Sequence, residues 1–151
     1  MKLTHLTAEG KARMVDITPK PVSRREARAQ GKIKLRPETL ALIKDNQIKK
    51  GDVLAVARVA GISAAKKAAE LIPLCHNIVL NQIGVDFELE EDGVRILTRV
   101  VCEGKTGAEM EALTAVAVAA LTIYDMCKAV DKEMVIEEIF LQEKKKDEIQ
   151  G

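Results

Sequence analysis

The chain has 151 residues, 47% hydrophobic and 31% charged, with a formal net charge of +1, no Trp, one Tyr and two Phe. That length can bury one sizeable core. With so few rings the core must be aliphatic, which counts against modules that stack bases on aromatic platforms. The cysteines Cys75, Cys102 and Cys127 are odd in number and far apart, which argues against a disulfide framework and for a reducing, cytoplasmic setting. No CxxC or HxxxH spacing marks a zinc site, and no apolar leader opens the chain. The most apolar run, Leu113 to Ile123, is 11 residues, short of the roughly 20 that span a bilayer.

The whole is read as a single domain over residues 1–151, with charge distributed unevenly. Residues 1–50 hold 13 Lys and Arg against 5 Asp and Glu, and residues 51–151 hold 11 against 18. Residues 1–31 are basic and poorly periodic, which predicts an extended or mobile arm ordered by a ligand or a neighbouring subunit. Within it, Lys20, Arg24, Arg25 and Arg28 form a cluster that suits a polyphosphate. It suits nucleic acid less well, because the chain as a whole is not strongly basic.

Ile33 to Leu35 reads as a short strand. Pro37 opens a helix to about Gln47. After the Gly51–Asp52 break, Asp52 caps a second helix, Val53 to Ile72, which Pro73 ends. Val85, Phe87 and Leu89 alternate with acids, the period of a half-buried strand. Asp92–Gly93 signals a tight hairpin, and Val94 to Val100 is the return strand, with Arg95 and Arg99 facing the acids across it. An almost wholly apolar helix runs from about Gly107 to Val130. Met134 to Leu141 is a last strand, and Lys144 to Gly151 a frayed charged tail. The order βαββαβ, with a helix pair in the first crossover, is the ferredoxin-like α+β pattern: an antiparallel sheet with helices on one face.

Two stretches carry chemistry. Leu71-Ile72-Pro73-Leu74-Cys75-His76 ends a helix at a proline and delivers a histidine, a residue type more often structural than catalytic, at a place suited to binding. Cys75 beside it reads as a small buried residue. Thr106 to Glu111 opens the long helix with two carboxylates. Thr106-x-x-Glu109 fits a capping box; Glu111 has no such role and can accept hydrogen bonds from a base or ribose. At the far end Asp125 and Lys128, three apart, are neighbours on one helix face. Alone they would suit a surface ion pair, but the apolar surroundings predict a desolvated pair able to supply an acid and a base. Lys50, before the Gly51 break, is within reach of a ligand on its loop. Glu111 and Asp125 are about 21 Å apart along the helix, so a single small ligand touching both ends requires two subunits packed about a two-fold axis.

These motifs resemble the molybdenum cofactor biosynthesis protein C family, the cyclic pyranopterin monophosphate synthases. The likeness runs through Leu3-Thr4-His5, Met14-Val15-Asp16, Lys50-Gly51-Asp52, Ala60-Gly61-Ile62, Leu71 to His76, Thr106 to Val116 and Leu121 to Val130. The resemblance implies a lyase that converts 3′,8-cyclo-7,8-dihydro-GTP, supplied by a radical GTP cyclase, to cyclic pyranopterin monophosphate and pyrophosphate. It implies a hexamer of three dimers with sites at the dimer interfaces. It assigns catalysis to Asp125 and Lys128 with Lys50 beside them, and substrate binding to Leu74, Cys75, His76, Glu109, Met110 and Glu111. Lys20 and Arg25 match basic positions near the phosphates. No protein ligand to a metal is implied; Mg²⁺ can ride on the triphosphate. Two departures stand out. Asn77 follows His76 where the family reads Pro, and Lys144-Lys145-Lys146-Asp147-Glu148 replaces a Gly-Gly-Lys-Ser-Gly tail. The competing readings are a non-catalytic nucleotide-binding or regulatory ferredoxin-like domain and an RNA-binding module using the basic arm.

Overall fold

The computed structural model describes residues 6–148; Leu3, Thr4, His5 and the last three residues of the expected tail lie outside them. The elements are β1 (Ser23–Lys34), α1 (Pro37–Lys44), α2 (Val53–Lys66), α3 (Ala68–Leu71), β2 (Val79–Glu90), β3 (Gly93–Gly104), α4 (Glu109–Cys127) and β4 (Val135–Glu148). The strands form one sheet in the order β2-β3-β1-β4, every neighbour antiparallel. Helices α2 and α4 pack on each other, α2 against β2 and α4 against β1, β3 and β4. This is the expected α+β, ferredoxin-like architecture.

Strand pairing starts much earlier than Ile33. Residues 23–31, expected in the arm, belong to β1, an inner strand bonded to both β3 and β4. Its apolar period is carried by small residues, with Ala27, Ala29 and Ile33 buried beneath the helices. The alternate residues Glu26, Arg28 and Lys32 carry charge onto the other face, which disguises the strand as a basic arm. There Lys32 meets Asp92 at 2.6 Å and Glu90 at 3.0 Å, and Glu26 pairs with Arg28 and Arg99. The tail is corrected for the same reason. Ser23 to Arg28 present backbone donors and acceptors on the side of β1 away from β3, and residues 143–148 pair with them.

The helices are shorter than expected. The first stops at Lys44, with Asn46 in the left-handed region. The second breaks at Lys67 before the single turn of α3. Asp52 caps α2 as expected, accepting from the Ala55 N–H at 3.1 Å. Arg95 reaches the acid across the hairpin, with Nε 3.0 Å from Glu90, whereas Arg99 turns to Glu26 on β1. Gly93 begins β3 without a left-handed φ. It is needed because a Cβ there would collide with the Ile33 carbonyl.

Helix α4 is the core. Ala112, Ala115, Val116, Ala119, Ala120 and Ile123 are fully buried. Small side chains let it lie close on β1: a Cβ on Gly31 would sit 2.6 Å from Val116 Cγ1. By length and composition α4 is also the one helix among the described residues that could cross a membrane, longer than the apolar run suggests. Half of its apolar stretch is buried against the sheet and α2, as in the core helix of a globular domain.

Candidate active site

The two ends of α4 carry two clusters. At the C-terminal end, Asp125 is flanked by two ammonium groups. Lys128 Nζ lies 2.9 Å from Oδ1, and Lys50 Nζ lies 3.2 Å from Oδ2 and 3.1 Å from the Asp125 carbonyl. Lys50 arrives from the loop after α1; the Gly51 N–H closes a turn onto Ile48 O, and Ile48 is buried. The hydrogen bonds from Lys128 and then Lys50 hold the Asp125 carboxyl below its usual range. The expected desolvation is not found within one subunit. Asp125 and Lys128 side chains are 58% and 56% exposed, on the outer face of α4 where Leu121 and Tyr124 are exposed as well, while Ile123, Met126 and Cys127 on its other face are buried.

At the N-terminal end, Glu111 is buried, 3% exposed, and burial pushes its carboxyl up. Cys75 Sγ lies 3.8 Å from Glu111 Oε2. Burial and the Glu111 charge push the thiol up to about 11, so it is an un-ionised neighbour rather than a nucleophile. His76 donates through Nε2 to the Val15 carbonyl at 2.6 Å. The carbonyl can only accept, so that nitrogen holds a proton. A small cavity of about 30 Å³ is lined by His76, Asn77, Ile78, Leu80 and Glu111 with Ala65, Lys66 and Ala69. Leu74 and Met110, next in sequence to Cys75 and Glu111, are exposed.

Glu109 does not complete a capping box. The helix begins at Glu109 with Ala108 as its N-cap residue and no side-chain cap. The Glu109 carboxylate instead folds over Gly107, where a side chain would collide with it, and lies 3.8 Å from Lys144 Nζ. Glu109, Gly107, Arg25, Glu26 and Lys144 to Lys146 line a second cavity of about 220 Å³. Arg25 braces its wall by donating to the Gly104 and Lys105 carbonyls, both at 3.3 Å. Lys20, exposed, sits in a turn closed onto Ile17 O just before β1; Lys105 Nζ ties that turn to the same edge by donating to Thr18 O at 3.0 Å.

The structure therefore gathers the candidate residues into two groups. Lys50, Asp125 and Lys128 form one. Leu74, Cys75, His76, Glu109, Met110, Glu111 and Arg25 gather at the other end, with Lys20 nearby in sequence. Lys144 and Lys146, noted in the sequence only as part of a frayed tail that replaces the family's own, line the second cavity as well; the strand period of β1, their pairing partner, was the available signal for their order. Roomier hollows of about 450 Å³ on α2 and about 390 Å³ beside α1 touch none of these residues, so size is a poorer guide here than chemistry. Among the described residues no group of three or more His, Cys, Asp or Glu is placed to hold a metal ion.

A family model described as the MoaC family matches residues 14–147. The chain belongs to the MoaC family. It is similar to the cyclic pyranopterin monophosphate synthase of Chloroflexus aurantiacus, with 60% identity over 142 residues that cover 93% of this chain and 87% of that protein. It is similar also to the protein of that name from Peptoclostridium acidaminophilum, with 54% identity over 144 residues, 95% of this chain and 92% of that one. The resemblance read from the joined motifs is borne out, and both clusters at the ends of α4 lie within the part of the chain that matches the family.

Proposed function

We propose that this chain is a cyclic pyranopterin monophosphate synthase of molybdenum cofactor biosynthesis. It would convert 3′,8-cyclo-7,8-dihydro-GTP, supplied by a radical GTP cyclase, to cyclic pyranopterin monophosphate and pyrophosphate. The observation that carries the reading is the pair of ammonium groups on one carboxylate, Lys50 and Lys128 on Asp125, in a chain of this family. Rearranging a purine-derived ring moves protons on and off nitrogen and oxygen, and two lysines poised by an aspartate supply an acid and a base. Closing the cyclic phosphate forms a bond from a ribose oxygen to the α-phosphorus and breaks the α–β bridge. Pyrophosphate leaves with the electron pair. Arg25, Lys144, Lys146 and Lys20 are the cations suited to that leaving group. Mg²⁺ carried by the triphosphate needs no protein cage.

Glu111, Cys75, His76, Leu74, Met110 and Glu109 would hold the base and sugar. Because the two clusters are separated by the length of α4, each complete site joins one cluster of one subunit to the other cluster of a second, and exposed Leu121 and Tyr124 would be covered there. Three such dimers would form a hexamer. Packing of a second subunit would also supply the desolvation that Asp125 and Lys128 lack alone. We place the protein in the cytoplasm, as a lyase acting on a small molecule without nucleic acid or membrane.

Pyrophosphate release and pterin formation from purified 3′,8-cyclo-7,8-dihydro-GTP test the reading. Turnover by the wild type that is lost in folded Lys128→Ala supports it. Substrate binding without turnover by folded, assembled wild type would favour a non-catalytic nucleotide-binding domain instead.

A further inference from the structure

Among the described residues, the charged side chain buried most completely is Asp131, 1% exposed, and the site above makes no use of it. It lies three residues beyond Lys128, with its N–H donating to Cys127 O at 3.1 Å. Its Oδ2 accepts from the Arg36 N–H at 3.0 Å and the Thr39 hydroxyl at 2.9 Å, and its Oδ1 from the Glu133 N–H at 2.9 Å. The Arg36 guanidinium lies 3.6 Å from Oδ1 and also donates to the Val130 carbonyl. Burial alone would push this carboxyl up; the bonds from Arg36, Glu133 and Thr39 outweigh it and keep it below its usual range, hence ionised.

Arg36 is the N-cap residue of α1, and its side chain provides no cap. Asp131 supplies the missing acceptor from 95 residues away, at the helix end that favours an anion. Helix α1 packs into the core through Leu40 and Ile43. It leads through buried Ile48 to Lys50, whose ammonium returns to Asp125. The α1 segment and the end of α4 therefore meet at two junctions. The Asp131 junction is buried and fully hydrogen-bonded, and the Lys50–Asp125 junction is exposed. An exposed ion pair holds its geometry weakly; the buried junction is directional, and with the core packing of Leu40, Ile43 and Ile48 it is suited to set the spacing.

We propose that Asp131 is a positioning residue that fixes Lys50 relative to Lys128 across Asp125. This rests on the reading of those three as the reacting groups, but its test has one arm that does not. In ¹³C-lysine-labelled protein without substrate, folded Asp131→Asn should move the ε-methylene resonances of Lys50 and Lys128. With substrate, kcat should fall about tenfold or more, the scale of a small misplacement of reacting groups, with KM within about twofold. Lys50→Ala/Asp131→Asn should lose no more than Lys50→Ala alone, because residues acting through one another are not additive. Thr39→Val, which removes one donor to the carboxylate, should move the same resonances less and serves if Asp131→Asn does not fold. Unmoved lysine resonances in a folded variant, or losses that multiply in the double variant, would overturn the proposal. An inactive wild type would instead sink the synthase reading and leave the resonance arm to decide the role of Asp131.

Discussion

Glu111 and Asp125 stand at opposite ends of α4, fourteen residues apart in sequence, about 21 Å along the axis. One is buried and its carboxyl is pushed up by burial; the other is exposed and held down by two lysines. The helix thus presents two carboxylates in contrasting environments.

Glu111→Gln should stabilise the unliganded protein at neutral pH while abolishing tight substrate binding. A carboxyl whose folded pKa lies above its unfolded value of 4.5 binds its proton more strongly in the folded state, so its charge costs stability as pH rises through that window. Thermal melts from pH 4 to 8 should show the variant gaining on the wild type with rising pH. A wild type that stays the more stable at pH 8 would contradict this.

Cys75 should resist alkylation at pH 7.5, since its thiol is pushed up to about 11 by burial and by Glu111. The same experiment on Glu111→Gln should show faster labelling, because a repelling charge next to the thiolate is gone. Mass spectrometry of iodoacetamide-treated protein reads both rates. Rapid wild-type labelling would show that the thiol is exposed and ionised.

Lys144→Ala/Lys146→Ala should raise KM and weaken inhibition by pyrophosphate, with a much smaller effect on kcat. Both residues line the cavity with Arg25, and Lys146 pairs directly with Arg25 across β1 and β4. Charged pairing with a polyanion is screened by salt, so the wild-type KM should rise with ionic strength more steeply than the variant's. Equal slopes would remove these lysines from the phosphate subsite.

Gly31→Ala should destabilise the fold by about 1–3 kcal/mol, the usual cost of overpacking. The added methyl would lie 2.6 Å from Val116 Cγ1 and 3.0 Å from Ile139 Cγ1, forcing α4 off β1. Urea unfolding measures it; an unchanged midpoint would mean that the helix can shift freely.

Much of the fold is legible in the sequence. Alternation in Val85 to Val100, the Asp92–Gly93 turn and the long apolar helix led to the right topology. The joined motifs around Cys75–His76, Glu109–Glu111 and Asp125–Lys128 led to the right family. The failures share a cause. In β1 the buried period is written in Ala27 and Ala29, which carry little hydrophobic signal, while Arg24, Arg25, Arg28 and Lys32 dominate the composition. The error then spread to β4, whose Lys144 to Lys146 look like a frayed tail until β1 is there to pair with them. The capping box at Thr106 failed because Glu109 is drawn over Gly107 towards Lys144 instead of back to the chain before the helix. Asp131 gave no signal, since its partners Arg36 and Thr39 are more than ninety residues away.

On the proposed reading, the two ends of α4 serve one reaction only when two subunits supply opposite ends. Lys128→Ala and Glu111→Ala, each inactive alone, should be unfolded together, refolded as a mixture and assayed for pyrophosphate release. If sites are shared between subunits, mixed dimers carry one intact site, and about a quarter of wild-type activity should return, as random pairing about a two-fold axis predicts. Mixed dimers that form, shown by native mass spectrometry, yet release no pyrophosphate would contradict the shared site.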